Sequence, residues 1–322
     1  MTDHGDYTSL WTLKGRIDIP LRDARGHALK FQFPTVHRLA PDRWRLYLAA
    51  RGEENVGRMV FADLDPTRAM RVLDCGEVID SSGAGQGDYD ADGIGPSCVF
   101  QTDAGLTMAA TGLRLRMPAY DAGIGFLRSD DDGRSWRRCP EIAPFYGPSP
   151  HLFAVGADIQ RIGGRYHMWF AQGAGWREDV KPYPEPTYQI GHATSDDGTA
   201  WVADPAPAIA FASPEETGIT RPCVRLAAEG YEMWYCTRRK YDPKRPELRR
   251  YRIGYATSSD LVHWRRQDAA HRFAPPPAPG DFDGQMQCYP TVAATPGRTV
   301  MFYCGDGYGR GGVGYAERVT AR

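Results

Sequence analysis

The sequence predicts an all-β fold: a five-bladed β-propeller built from four-stranded antiparallel blades. Three observations carry this reading. No long segment places apolar residues at the i, i+3, i+4, i+7 spacing of an amphipathic helix, whereas short β-branched and aromatic runs recur throughout. These runs are punctuated by 36 Gly and 25 Pro, the residues that turn a chain between strands. Most decisively, one pattern of three strands, a turn and a tryptophan is written five times, most clearly between Ile219 and Trp264.

The first strand of each copy carries Pro-x-Val or a relative of it: Pro34-Thr35-Val36, Pro96-Ser97-Cys98-Val99, Ala157-Asp158-Ile159, Pro222-Cys223-Val224 and Pro290-Thr291-Val292. Blade starts near 34, 96, 157, 222 and 290 lie about 61 to 68 residues apart. That is longer than the ~40–50 of common propeller repeats and leaves room for four strands and a substantial loop. The second strands begin at Trp44, Leu106, Tyr166, Tyr231 and Val300, and the third at Gly57, Ile124, Ile190, Ile253 and Val313. After the last copy too little chain remains for a fourth strand. The stretch from Ser9 to Gly15 is expected to supply it and close the ring, making residues 1–322 one domain.

Three turns follow third strands. Ser129-Asp130-Asp131-Asp132-Gly133-Arg134-Ser135-Trp136 matches Ser-x-Asp-x-Gly-x-x-Trp in full, and the turns at Ser195–Trp201 and Ser258–Trp264 are one residue shorter. Their Ser and Asp side chains close the turn on nearby backbone and their Trp rings bury between blades, a structural role and not a metal site.

Lys and Arg number 39 against 40 Asp and Glu, a net charge of −1, so nothing in the overall balance calls for nucleic acid or an anionic membrane. Arg238, Arg239, Lys240, Lys244, Arg245, Arg249 and Arg250 crowd one segment, which reads as a solvated loop or as recognition of an anionic substrate. Seven cysteines contain no Cys-x-x-Cys pair, and several recur at equivalent places in the repeat, as small core residues do. No apolar run approaches the ~20 residues of a membrane span, and the first residues have no leader-like pattern, so a cytoplasmic protein is expected.

The segments Gly87–Ser97, Lys181–Tyr188, Ile219–Pro222, Met286–Pro290 and Gly305–Tyr315 resemble the five-bladed propeller proteins related to glycoside hydrolase families 32, 43 and 130. More closely, they are similar to a glycosidase-like group encoded among bacterial surface-polysaccharide and secondary-metabolite genes. The resemblance spans roughly residues 30–316. It implies that inner strands line a central cavity and that loops at one end build the site. It also exposes a departure. Such relatives place a catalytic Asp at the start of the first blade, where this chain reads Phe31-Gln32-Phe33-Pro34-Thr35.

On that footing the candidate acids are Asp90, which best matches the family's acidic position, Asp158 on an inner strand, and Glu216 ahead of the fourth blade. Glycoside hydrolysis needs a raised-pKa acid and an ionised carboxylate, separated by about 6.5–9.5 Å for inversion, and acids arriving from successive blades can meet that spacing. Candidate substrate-binding residues are Arg51, Asp92, His151, Trp176, Glu185, Tyr188, Arg221, Gln285, Tyr289 and Asp306. Arg221 can keep a carboxylate ionised or grip a sugar carboxylate or phosphate through two bonds. No histidine pair has metal-ligand spacing, and no cofactor is expected. The expected function is carboxylate acid–base chemistry on a glycosidic linkage of a small or oligomeric saccharide, neutral or anionic. The alternative is a propeller that binds a sugar or biosynthetic intermediate, or performs phosphorolysis, transfer or cyclisation, after loss of the first-blade Asp.

Overall fold

The computed structural model describes residues 9–53, 57–78, 89–116, 119–148, 153–180 and 184–318. Their strands form four sheets, and the eight-stranded one divides into two antiparallel sets joined only by the parallel Tyr188–Gly218 pair, which makes five units. β1 is Ser9–Ile17. The first unit runs β2 (Lys30–Ala40), β3 (Arg43–Arg51), β4 (Arg58–Asp65) and β5 (Arg71–Glu77). The second is β6 (Ile94–Thr102), β7 (Gly105–Arg116), β8 (Ala119–Ser129) and β9 (Arg137–Arg138). The third is β10 (Ala154–Ile162), β11 (Arg165–Arg177), β12 (Glu185–Ser195) and β13 (Val202–Ala203). The fourth is β14 (Glu216–Leu226), β15 (Tyr231–Arg239), β16 (Arg252–Ser258) and β17 (Arg265–Arg266). After β18 (His271–Phe273), the last unit is β19 (Cys288–Thr295), β20 (Arg298–Cys304) and β21 (Val313–Arg318). β1 pairs antiparallel with β21, and β18 runs parallel along its other edge.

Second strands are buried on both faces, which their composition explains. Trp44 and Tyr47, Trp169 and Phe170, Trp234 and Tyr235, and Phe302 and Tyr303 fill the space between neighbouring units. First strands stitch one unit to the next. The Ile159 N–H donates to Cys98 Sγ at 3.3 Å, the Val224 N–H to Asp158 Oδ2 at 2.8 Å, and the Val292 N–H to Cys223 Sγ at 3.1 Å. Thr35 Oγ1 donates to the Ser97 carbonyl at 3.3 Å. In four of the copies the residue just before the Val or Ile is therefore a clamp on the following strand. All seven cysteines are free and six are buried. No helix among the described residues is long and apolar enough to cross a membrane.

The Ser/Asp turns sit at the far ends of β8, β12 and β16. Each anchoring tryptophan packs on the preceding unit: Trp136 on Tyr47 at 5.8 Å, Trp201 on Phe126 at 6.4 Å and Trp264 on Trp169 at 6.0 Å. Burial opposes ionisation of Asp131, but the Ser135 N–H and hydroxyl and the Ser129 hydroxyl outweigh it and bring the carboxyl down to about 2. The Ala200 and Thr199 N–H groups lower Asp197, and the His263 side chain and N–H lower Asp260. A carboxyl whose pKa is lower when folded stabilises the fold above its unfolded value and loses that contribution as pH falls through the folded one. The melting temperature is thus expected to fall between about pH 4 and about pH 2, and a flat profile across that window would remove the turns from the stability argument.

Candidate functional site

Each of the five inner strands has an irregularity near its start: between Gln32 and Thr35, Pro96 and Cys98, Val155 and Asp158, Thr220 and Cys223, and Cys288 and Thr291. A bulge re-aims the side chain it carries. Phe33, Gly156, Arg221 and Tyr289 occupy the left-handed region there, with φ of 57°, 64°, 54° and 58°. For the three non-glycine residues this conformation costs about 1–2 kcal/mol each, so the rest of the fold must hold it in place. Phe33, Gly95, Gly156, Arg221 and Tyr289 all line a single cavity of about 280 Å³. The two glycines make room for their opposite numbers. A Cβ on Gly95 would lie 3.0 Å from the Phe33 ring, and one on Gly156 would lie 2.9 Å from Arg221 Cδ.

Arg221 is the polar centre of this cavity. It is 4 % exposed. Its Nη1 donates to the carbonyls of Pro96 and Ser97 at 3.1 and 3.4 Å, and its Nη2 to the Pro34 carbonyl at 2.9 Å and Thr35 Oγ1 at 3.1 Å. One guanidinium thus ties the fourth unit to the first and second through neutral acceptors. Burial lowers the pKa of Arg221 and, on the other side of the cavity, that of Arg51. Tyr188 and Tyr251 are hydrogen-bonded through their hydroxyls, and Tyr289 packs on Tyr251 at 5.6 Å and on Phe33 at 4.7 Å. Burial raises all three phenols above their ordinary value, so they remain protonated donors at neutral pH. Thr111 and Thr220 add hydroxyls. Among the described residues no carboxylate lines the cavity.

Glu185 lies behind this wall. Its side chain is fully buried, 3.0 Å from Arg249, 3.2 Å from Arg177 and 3.6 Å from Arg238. The Arg238 guanidinium in turn covers the Tyr188 ring at 4.9 Å and the Tyr251 ring at 5.8 Å. Glu185 therefore fixes the arginine that seats the tyrosine pair. Glu185→Gln keeps the shape and removes the charge, leaving three arginines around a neutral amide. We expect a loss of about 3 kcal/mol, read as a lower melting temperature. A variant that melts like the native protein would mean that solvent already screens these arginines.

The structure divides the residues expected from sequence into three groups. Arg51, Tyr188, Arg221 and Tyr289 meet in the cavity. Asp90, Asp158 and Glu216 do not converge there. Asp90 is held by Arg138 at 2.8 Å and Glu216 by Arg266 at 2.7 Å. These are the same ion pair made twice, each joining an acid at the start of a unit to the second residue of that unit's fourth strand. Asp158 faces the next unit, where it accepts from the Val224 N–H and pairs with Arg225 at 3.1 Å. The remaining residues support loops or lie apart. Trp176 packs on Phe153 at 6.1 Å. Asp306 Oδ1 accepts the N–H groups of Gln285 and Met286 at 2.8 and 2.7 Å. Gln285 and Asp92 are exposed, and Glu185 is buried behind the wall. His151 lies outside the described residues.

Sequence reasoning passed over Tyr251, Thr111, Thr220 and Phe153. The signal for Tyr251 was present, because Tyr188-Gln-Ile-Gly and Tyr251-Arg-Ile-Gly are copies of one place in the repeat. Among the described residues no group of three His, Cys, Asp or Glu is arranged to hold a metal ion.

No family model matches the chain. It is 27% identical over 318 residues to the uncharacterized protein MT1551 of Mycobacterium tuberculosis (strain CDC 1551 / Oshkosh), covering 95% of this chain and 98% of that protein. Among solved structures it is similar to a glycoside hydrolase with a TM-score of 0.66 at 17% identity, covering 97% of this chain and 92% of the other. It is also similar to a thermostable family-43 glycoside hydrolase, with a TM-score of 0.60 at 15% identity over 91% and 90% of the two chains. The catalytic domain of the GH62 α-L-arabinofuranosidase of Coprinopsis cinerea gives 0.64 at 12% identity over 96% and 97%. The strands, their antiparallel units and these likenesses give the chain the fold of a glycoside-hydrolase-like propeller.

Proposed function

We propose that the protein binds a saccharide, or an intermediate derived from one, that carries a negative charge, and that it does so without two-carboxylate hydrolysis. One observation carries this reading. The cavity presents two guanidinium groups, three phenols and two threonine hydroxyls, and no carboxylate among its described lining. Such a surface is positively charged and calls for a ligand that supplies negative charge, such as a uronate carboxylate or a sugar phosphate. Tyr188, Tyr251 and Tyr289 offer flat apolar faces to a sugar ring. The volume of about 280 Å³ lies at the small end of ligand cavities and suits a single ring. The three acids considered for hydrolysis are engaged by Arg138, Arg225 and Arg266, which leaves them poorly placed to exchange protons with a substrate.

The test is calorimetric titration with D-galacturonate, D-glucuronate and glucose 1-phosphate, set against D-galactose and D-glucose, alongside a release assay on aryl glycosides with and without phosphate. At least one anionic ligand is expected to bind more tightly than its neutral counterpart by roughly tenfold or more, the scale of one charge-assisted bond. Equal binding of both classes would refute the anionic reading. Aryl release that Asp90→Asn and Glu216→Gln abolish would restore hydrolysis.

A further inference from the structure

Asp90 takes no part in the central cavity, yet its surroundings differ from those of its repeat counterpart Glu216. Both oxygens of Glu216 are satisfied: Oε1 by Arg266 at 2.7 Å, and Oε2 by Arg266 at 2.8 Å and the Ala212 N–H at 2.7 Å. Asp90 is 3 % exposed, and Arg138 reaches only its Oδ2, through Nε at 2.9 Å and Nη2 at 2.8 Å. Oδ1 is buried and receives no hydrogen bond, and the hydroxyl of the adjacent Tyr89 is likewise buried without a partner. Two orphaned polar atoms on neighbouring residues are uncommon in a native fold and ask for an explanation.

They belong to a second cavity, of about 380 Å³, walled by Tyr146, Phe126, Ile142 and Pro144 as well as Asp90 and Arg138. It backs onto the central one across β7. Thr111 and Leu113 line the central cavity, while a Cβ on Gly112 between them would lie 2.3 Å from the Tyr89 ring. The space for Tyr89 is made by glycine at two places, since a Cβ on Gly125 would lie 2.1 Å from it. Gly123 gives way in the same manner to Tyr146, at 2.8 Å. The sequence has removed three side chains from the floor of this pocket and set two aromatic rings on it.

We propose that this pocket is a second binding site, separate from the central cavity, that takes a neutral polyhydroxylated ring. The Asp90–Arg138 pair is charge-compensated, so the pocket has no net attraction for an ion. What it lacks is a donor for Oδ1 and a partner for the Tyr89 hydroxyl, and vicinal hydroxyls supply both. The apolar walls receive the C–H face of the ring.

The experiment is saturation-transfer NMR on the full chain with D-glucose, D-galactose, D-xylose and L-arabinose, each followed by titration. Tyr89→Phe is the informative variant. It deletes a hydroxyl that bonds to nothing in the fold, so the melting temperature should hold or rise while sugar affinity falls roughly tenfold, the scale of one lost hydrogen bond. Gly125→Ala, which pushes Tyr89 from its seat, is expected to abolish the signal. Absence of saturation transfer from all four sugars overturns the proposal, and so does an affinity unchanged in Tyr89→Phe. The second result would mean that the sugar binds without the Tyr89 hydroxyl, and so not in this pocket. Neither outcome bears on the anionic ligand of the central cavity: D-glucose and D-galactose serve in both titrations, and binding that Tyr89→Phe weakens belongs to this pocket whereas binding that it leaves unchanged belongs elsewhere.

Discussion

A chain that begins at Asp18, and so lacks β1, is expected to be largely unfolded or aggregated at the temperature where the full chain is folded. β1 is a strand in the middle of its sheet, with β21 on one edge and β18 on the other. Trp11 is fully buried and packs edge-on against Trp234 at 5.7 Å. Ser9 Oγ accepts the indole N–H groups of both Trp11 and Trp234, at 2.9 and 2.8 Å. Loss of a buried tryptophan alone costs about 3–5 kcal/mol, against the roughly 5–15 kcal/mol that holds a typical domain together. The truncation also exposes Trp234, Phe273 and the whole outer edge of β21, and a bare strand edge invites pairing between molecules. Circular dichroism melts and light scattering would read the loss. A synthetic peptide of residues 9–19 should restore part of it by adding the strand back. If the shortened chain melts like the full one, β1 is an accessory strand and the stability resides in the other units.

The fold was legible because its determinants are local and repeated. Pro-x-Val, the aromatic second strand and the Ser/Asp turn need only short stretches of sequence to be recognised, and their recurrence in several units reinforces each one. The site was legible only in part, for a reason visible at Asp158. In a strand, successive side chains alternate faces, and a slip of one residue exchanges them. The bulge between Val155 and Asp158 makes that exchange, so Gly156 meets the cavity and Asp158 meets the next unit. The repeat held a hint, since Cys98 and Cys223, also from this stretch of the first strand, clamp the following unit too. Asp90 and Glu216 lie outside the central cavity for a different reason. Their partners Arg138 and Arg266 lie 48 and 50 residues away, on fourth strands only two residues long that no pattern announces. Arg221 and Tyr289 line the cavity because they stand immediately before a repeat proline, where the bulge turns the side chain inward.

Arg221→Met is expected to separate what Arg221 does for the fold from what it does for the ligand. The fold loses four hydrogen bonds to neutral acceptors on the first and second units, each made by a charged donor and worth about 1.5–3 kcal/mol at most. It also escapes the burial of a charge that has no carboxylate in hydrogen-bond contact, a penalty of several kcal/mol. These effects oppose each other and are of similar size, so the melting temperature should move by only a few degrees, about 1–2 kcal/mol in either direction. Ligand binding has no such compensation. An anion in the cavity would lose the guanidinium charge beside it and at most one further N–H donor, since the four Nη hydrogens already serve the fold. At about 1.5–3 kcal/mol, affinity should drop roughly ten- to a hundredfold while any neutral ligand is little affected. Arg221→Lys retains the charge, but an ammonium cannot span carbonyls on two units and face a ligand at once, so it is expected to fall between the two. Titration of D-galacturonate and glucose 1-phosphate into the native protein and both variants, with melts recorded on the same samples, distinguishes the contributions. If Arg221→Met binds these anions as tightly as the native protein but melts far lower, Arg221 is a structural tie alone. The charge that receives the ligand would then have to come from Arg51, whose substitution becomes the next measurement.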